Sequence, residues 1–207
     1  MRYDFITIEG NIGAGKTTLA SRLAQAYKAR LILEEFEHNP FLPKFYSDPD
    51  RYAFKLELSF LCDRFEQLCS EFAREPQTRI SDYYFNKTLI FARANLSSQE
   101  FMVFEKLFRV MSERLPRPGL IIFLRPATQR LKDNIARRGR QYEQDIRTEY
   151  LERIQQAYSS YLQGQKEVPV LQLDLVSSNY VNSLDDFSFL DRLLNLSYPP
   201  GLTQVEI

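Results

Sequence analysis

The residues most plainly able to do chemistry begin at Gly10-Asn11-Ile12-Gly13-Ala14-Gly15-Lys16-Thr17-Thr18. This run fits G-x-x-x-x-G-K-[ST] and lies between a strand-like Phe5-Ile6-Thr7-Ile8 and a helical pattern of Leu19, Leu23, Ala24 and Tyr27. Glycine torsions let successive backbone N–H groups turn inward, and the helix that follows adds its positive end, so such a loop cradles anions. Lys16 can then reach the outer phosphates of a nucleotide, and the Thr17 hydroxyl can ligate Mg2+. The run implies binding of ATP or GTP. A switch GTPase also needs N-K-x-D to read guanine; the one Asn-Lys pair, in Asn86-Lys87-Thr88-Leu89, ends in leucine. The chain is also short for a motor domain.

Two further groups of charged residues fall at the ends of strand-like runs. Leu31-Ile32-Leu33 is followed by Glu34-Glu35, and Arg79-Ile80-Ser81 by Asp82. The carboxyl ends of parallel strands are where open α/β sheets bind ligands. A carboxylate there can take the proton of a hydroxyl that attacks a terminal phosphate; two acids on a solvated strand end are the plainer alternative. Asp82 is the carboxylate near the third run that can serve Mg2+, directly or through water. Further on, Arg130, Arg137, Arg138 and Arg140 cluster along and just past a helix. A hinge at Gly139 would let them close over nucleotide and clamp the transferring phosphoryl group, although a basic helix end is often only a partner of the helix dipole.

These residues need a scaffold, and the hydropathy pattern describes one. Apolar runs at about 3–9, 30–34, 78–82, 120–125 and 169–174 read as strands. Between them, Phe54, Leu58, Leu61, Phe65, Leu68 and Phe72, and then Phe101, Phe104, Phe108, Met111 and Leu115, step by three or four as helices do. Alternation of this kind predicts an α/β domain, a five-stranded parallel sheet flanked by helices, with no boundary dividing residues 1–207. The tail from Ser197, with Pro199-Pro200-Gly201, reads as an ordered arm or a frayed end. Lysines plus arginines number 27 and aspartates plus glutamates 27, so no bulk field draws the chain to a nucleic acid polymer or an anionic membrane. No leader or membrane span is expected. Cys62 and Cys69, without partners at metal-ligand spacing, read as buried thiols in a reducing cytosol, and His38 as a solvated loop residue.

Four motifs in order carry a more specific likeness. The phosphate loop, Glu34-Glu35-Phe36-Glu37, Lys44-Phe45-Tyr46-Ser47-Asp48-Pro49, and Arg138-Gly139-Arg140-Gln141-Tyr142-Glu143 ahead of Tyr150-Leu151 resemble the deoxyribonucleoside kinase family over about residues 3–175. The resemblance implies a P-loop kinase fold with an arginine-rich lid at about 137–147, ATP and Mg2+ as cofactors, a cytoplasmic homodimer, and a salvage reaction phosphorylating the 5′-hydroxyl of a deoxynucleoside. It implies Glu34 as general base, with Glu35 standing where the family often has proline. It implies Lys16, Arg138 and Arg140 on the phosphates, Tyr46 and Glu143 on the sugar 3′-hydroxyl, and Phe91 stacked on the base.

Glu57 occupies the place of a family glutamine that pairs with the base edge, and Arg64, two helical turns on, matches an arginine that some members use. An ionised Glu57 only accepts hydrogen bonds, which suits guanine's N1–H and N2 amino group better than adenine. Purine deoxynucleosides are therefore expected first, with Arg64 donating to N7 or O6. The family's acid-Arg-Ser at the end of strand three is absent: counting back from Phe91 puts the acid at Ser81, one residue before Asp82, and Arg79 is the nearest arginine. Two competing readings remain. A nucleoside monophosphate kinase of the thymidylate kinase type would need an acceptor-phosphate arginine near strand three and no base at Glu34. A non-catalytic nucleotide-binding regulatory protein would bind ATP without turnover.

Overall fold

Strands whose two faces are both covered need no polar alternation, and the run Leu120-Ile121-Ile122-Phe123-Leu124 is continuously apolar for that reason. The computed structural model describes residues 2–143, 146–175 and 184–206. In order, its elements are β1 (Phe5–Gly10), α1 (Lys16–Tyr27), β2 (Arg30–Ile32), α2 (Leu42–Ser47), α3 (Pro49–Phe72), β3 (Arg79–Ser81), α4 (Lys87–Asn95) and α5 (Ser98–Ser112). There follow β4 (Leu120–Pro126), α6 (Thr128–Arg138), a 3-10 turn at Gln141–Glu143, α7 (Thr148–Gln163), β5 (Pro169–Leu175), α8 (Leu184–Leu194) and β6 (Gly201–Glu206).

The strands form one sheet in the order β2-β3-β1-β4-β5-β6, every pairing parallel. Alternate residues of the central strands face opposite layers. Ile6, Ile8, Ile122, Leu124, Leu171 and Leu173 pack with Leu19 and Leu23 of α1, Leu131 and Ile135 of α6 and Leu190 of α8. Ile121, Phe123 and Val170 pack against Ile90 of α4 and Ile154, Tyr158 and Leu162 of α7. α3 and α5 close a further layer around Leu61, Leu68, Phe104 and Phe108. Their starts are defined locally: the Asp48 side chain accepts from Arg51 N ahead of Pro49, and Ser97 and Glu100 form a reciprocal capping box.

Three expectations change. The sheet has six strands rather than five, because the tail runs along β5 from Pro169↔Gly201 to Asp174↔Glu206. Its sequence, Gly201-Leu202-Thr203-Gln204-Val205-Glu206, carries no apolar run, since an edge strand is only half covered. Cys62 and Cys69 are free but exposed on α3 rather than buried. The strand expected to reach residue 34 stops at Ile32, so Glu34 sits in the loop beyond it.

Candidate active site

The chain leaves β1 through a sharp turn. Gly10, Gly13 and Gly15 have φ of 150°, 79° and 91°, which glycine adopts without the steric cost a side chain would bring. Gly13 is also pressed against α6: a Cβ there would meet the Leu131 carbonyl oxygen at 2.7 Å. Asn134 of α6 donates to the Gly13 carbonyl at 2.8 Å, and Asn11 Nδ2 ties the loop to the Leu151 carbonyl at 2.8 Å. Lys16 Nζ donates to the Gly10 and Asn11 carbonyls, both at 2.9 Å. Burial, and then the neighbouring Lys87 ammonium, bring the Lys16 pKa down to about 8. Ile12, Gly13, Lys16 and Thr17 line a cleft at the carboxyl edge of the sheet; Ala14 is buried beneath the loop and Thr18 is exposed beside it.

Glu34 and Asp82 meet at the mouth of that loop. Asp82 Oδ1 accepts from Glu34 N at 2.7 Å, and its Oδ2 accepts from Thr17 Oγ1 at 2.5 Å. A hydroxyl and a carboxylate side by side are the hard oxygen donors that Mg2+ takes together with phosphate oxygens and water, so these residues fit that ion. Ser81, the alternative acid position, is buried and donates to the Tyr83 carbonyl.

The Glu34 carboxylate is held on both oxygens. Oε1 accepts from Arg64 Nε at 2.9 Å and Nη2 at 2.6 Å, and Oε2 accepts from Lys87 Nζ at 2.5 Å. Burial alone would raise its pKa, but Lys87 and Arg64 outweigh burial and hold it down at about 2. Glu35 is exposed and accepts from Gln67 instead. Arg64 lines the cleft, yet three of its donors are already engaged, the third on Thr88 Oγ1 at 2.8 Å. Arg79 points elsewhere, donating to the carbonyls of Glu71, Arg74, Glu75 and Gln77 around the end of α3.

Deeper in the cleft the polar groups thin out. Glu57 is 1% exposed; its Oε1 accepts from Asn95 Nδ2 at 2.7 Å, while Oε2 has no hydrogen-bond partner among the described residues. Burial pushes its pKa up to about 7. Phe91, Phe45, Leu42, Leu56, Phe60 and Tyr150 supply apolar walls, with Phe91 set edge-on to Tyr158. Tyr46 packs against Tyr142 and Tyr150, and burial, with Tyr150 and Glu143 beside it, raises its pKa well above the ordinary tyrosine value.

At and just past the end of α6, Arg138 and Arg140 line the cleft and both bind Glu143, the former through Nε at 3.0 Å and also through Nη2, the latter through Nη1 at 3.4 Å. Arg137 is exposed and donates to Asn134, and Arg130 does not line the cleft. Of the lid expected at 137–147, residues 144 and 145 lie outside the described residues. One cleft thus gathers Lys16, Thr17, Glu34, Tyr46, Glu57, Arg64, Asp82, Phe91, Arg138, Arg140 and Glu143.

Sequence reasoning missed Lys87 and Asn95. Lys87 belongs to Asn86-Lys87-Thr88-Leu89, which carries no nucleotide-binding pattern of its own. It lies four residues before Phe91, on the face of α4 expected to carry the stacking ring, and that periodicity was its one available signal.

A family model described as deoxynucleoside kinase matches residues 6–193. A deoxyguanosine kinase of Bacillus subtilis (strain 168) is 37% identical over 190 residues, 88% of this chain and 92% of that relative. A deoxyadenosine kinase of Dictyostelium discoideum is 32% identical over 175 residues, covering 82% and 71%. Among solved structures, deoxyadenosine kinase from M. mycoides with bound dATP superposes with a TM-score of 0.79 at 24% identity, over 93% of this chain and all of that one, a likeness of fold.

Proposed function

The chain belongs to the deoxynucleoside kinase family, and from that premise we propose that it transfers the γ-phosphoryl group of ATP to the 5′-hydroxyl of a deoxyribonucleoside, purines first. The observation that carries this reading is the Glu34 carboxylate at the mouth of the phosphate loop. A carboxylate has about four lone-pair sites. Arg64 takes two on Oε1 and Lys87 one on Oε2, which leaves a position on Oε2 for a hydroxyl. Glu34 stays ionised at any working pH. It accepts the hydroxyl hydrogen bond from the start and receives the proton as the oxygen bonds to phosphorus, in a loose transition state that asks little of the base before that point.

Lys16 and the backbone N–H groups of residues 10–18 hold the phosphates of ATP; Arg138 and Arg140 close on the phosphoryl group from the lid side. Thr17 and Asp82 would hold Mg2+, which when bound offsets charge on the phosphate oxygens. Tyr46 and Glu143 take the sugar 3′-hydroxyl, Phe91 stacks on the base, and Glu57 reads its edge. Arg64 acts chiefly by orienting Glu34. The chain works in the cytoplasm as one kinase domain with its lid at about residues 137–147.

A homodimer completes the proposal. Phe101, Phe104 and Phe108 of α5 face the core, while Met102, Val103, Leu107 and Val110 are 44–61% exposed on its outer side. A second copy covers that stripe. Sedimentation at micromolar concentration is expected to give twice the 24.4 kDa chain mass, and a 24.4 kDa species would reject the dimer.

An ATP-consumption screen against the four deoxynucleosides and the four deoxynucleoside monophosphates tests the activity. Turnover with deoxyguanosine and deoxyadenosine is expected. Turnover with a monophosphate alone would give the reaction to the monophosphate kinase reading, and ATP binding with no turnover would leave a regulatory protein.

A further inference from the structure

We propose that Lys87 is a catalytic residue of this enzyme, its ammonium binding the phosphoryl group in transit beside the attacking hydroxyl. The proposal rests on the kinase reading above. Its geometric basis is that one carboxylate oxygen serves two groups. Glu34 Oε1 is filled by two guanidinium donors, so an incoming hydroxyl must share Oε2 with Lys87 Nζ, which already sits there at 2.5 Å. Two donors on one oxygen lie within about 5 Å of each other by ordinary hydrogen-bond distances and angles. The ammonium is therefore next to the oxygen that bonds to phosphorus.

An ammonium has three donors. One is on Glu34, and the described residues show no hydrogen-bond acceptor for the other two. Lys87 is 6% exposed, so its charge acts through protein rather than through bulk water. It also lies near the phosphate loop, since its ammonium is the main charged neighbour acting on Lys16. Two lysines thus flank the space between the loop and Glu34, Lys16 from the nucleotide side and Lys87 from the acceptor side.

In the reaction the 5′-hydroxyl oxygen forms the new bond to the γ-phosphorus. The bond from that phosphorus to the β,γ-bridging oxygen breaks, its electron pair leaving on ADP, and the hydroxyl proton passes to Glu34. Lys87 exchanges no proton. It stabilises the charge spread over the equatorial oxygens of the phosphoryl group.

The test compares full-length K87M with the parent. Removing one preorganised donor of this kind costs about 10²–10³ in kcat. K87M is expected to lose kcat on that scale while the Kd for ATP by calorimetry and the KM for deoxynucleoside change less than about threefold. A kcat within about threefold of the parent, or a lowered kcat with ATP binding or the deoxynucleoside KM lost in step, overturns the assignment. K87Q, read in the same way, replaces a K87M that does not melt cooperatively. Turnover by the parent tests the kinase reading separately, so an active parent matched by K87M sinks the Lys87 assignment alone.

Discussion

Glu34 and Glu57 line the same cleft with the same functional group, and their surroundings treat them in opposite ways. At the phosphate end, Glu34 and Asp82 have both carboxylate oxygens bonded, to Arg64, Lys87, Thr17 and backbone. At the base end, Glu57 keeps one bond to Asn95 and one oxygen without a partner. The first carboxyl is held at about 2 and the second is raised to about 7. Cations decide the first case and burial the second. On the proposed reading, the phosphate end performs one reaction on every substrate, and its charges can be paired in advance. On the same reading, the base end must choose among bases, and there an acceptor is left for the ligand to satisfy.

The contrast breaks most severely at the phosphate end. Lys16→Ala is expected to abolish turnover by removing the charge on the outer phosphates, read as product formation by chromatography. Glu34→Gln keeps the shape and loses the base, lowering kcat by about 10²–10⁴. It also leaves Arg64 and Lys87 buried without their carboxylate. Removing one partner from a buried ion pair costs about 3–5 kcal/mol, so thermal unfolding should shift downward as well. Near-parent activity in Glu34→Gln would mean that the reactive end of the cleft is elsewhere.

At the base end the effects are smaller and selective. Glu57→Gln is expected to lower the ratio of deoxyguanosine to deoxyadenosine turnover about tenfold, since an unmatched buried polar group costs about 1–3 kcal/mol; an unchanged ratio would show that Glu57 does not read the base. The same variant should be more stable than the parent at pH 8 and equal to it below pH 4.5. Because the folded chain holds the Glu57 proton up to about pH 7 whereas the unfolded chain releases it near 4.5, the destabilisation grows between those values and is constant above. At 1.36 kcal/mol per pH unit it reaches about 3 kcal/mol.

Within the parent, raising pH from 6 to 8 ionises Glu57 and should raise the deoxyguanosine to deoxyadenosine ratio severalfold. A flat ratio in steady-state assays would detach Glu57 from selectivity. The smallest effect belongs to Glu35→Gln, expected within about twofold of the parent because Glu35 faces Gln67 outside the cleft. A collapse there, with Glu34→Gln active, would move the base assignment to Glu35.

Much of the phosphate end was legible from residue order. The loop is a local device, made from glycine torsions and the helix that follows, so neighbouring residues specify it. Glu34 was legible because parallel strands bring their carboxyl ends to one edge. That the Asp82 carboxylate meets Thr17 and Glu34 while Ser81 turns to the Tyr83 carbonyl needed the fold, since a one-residue step along a strand reverses the face. β6 escaped notice because an edge strand buries one flank and leaves no apolar signature.

What the sequence determined alone was therefore the anion cradle, the alternation of helix and strand, and the presence of acids at the strand ends. Tertiary structure decided which cation meets which acid. Lys87 reaches Glu34 across 53 residues, and Arg64 across 30, through elements that only packing brings together. It decided as well that one glutamate is ionised and another close to neutral. Charge state depends on the water excluded and the ions within a few ångströms, and neither is a property of position along the chain.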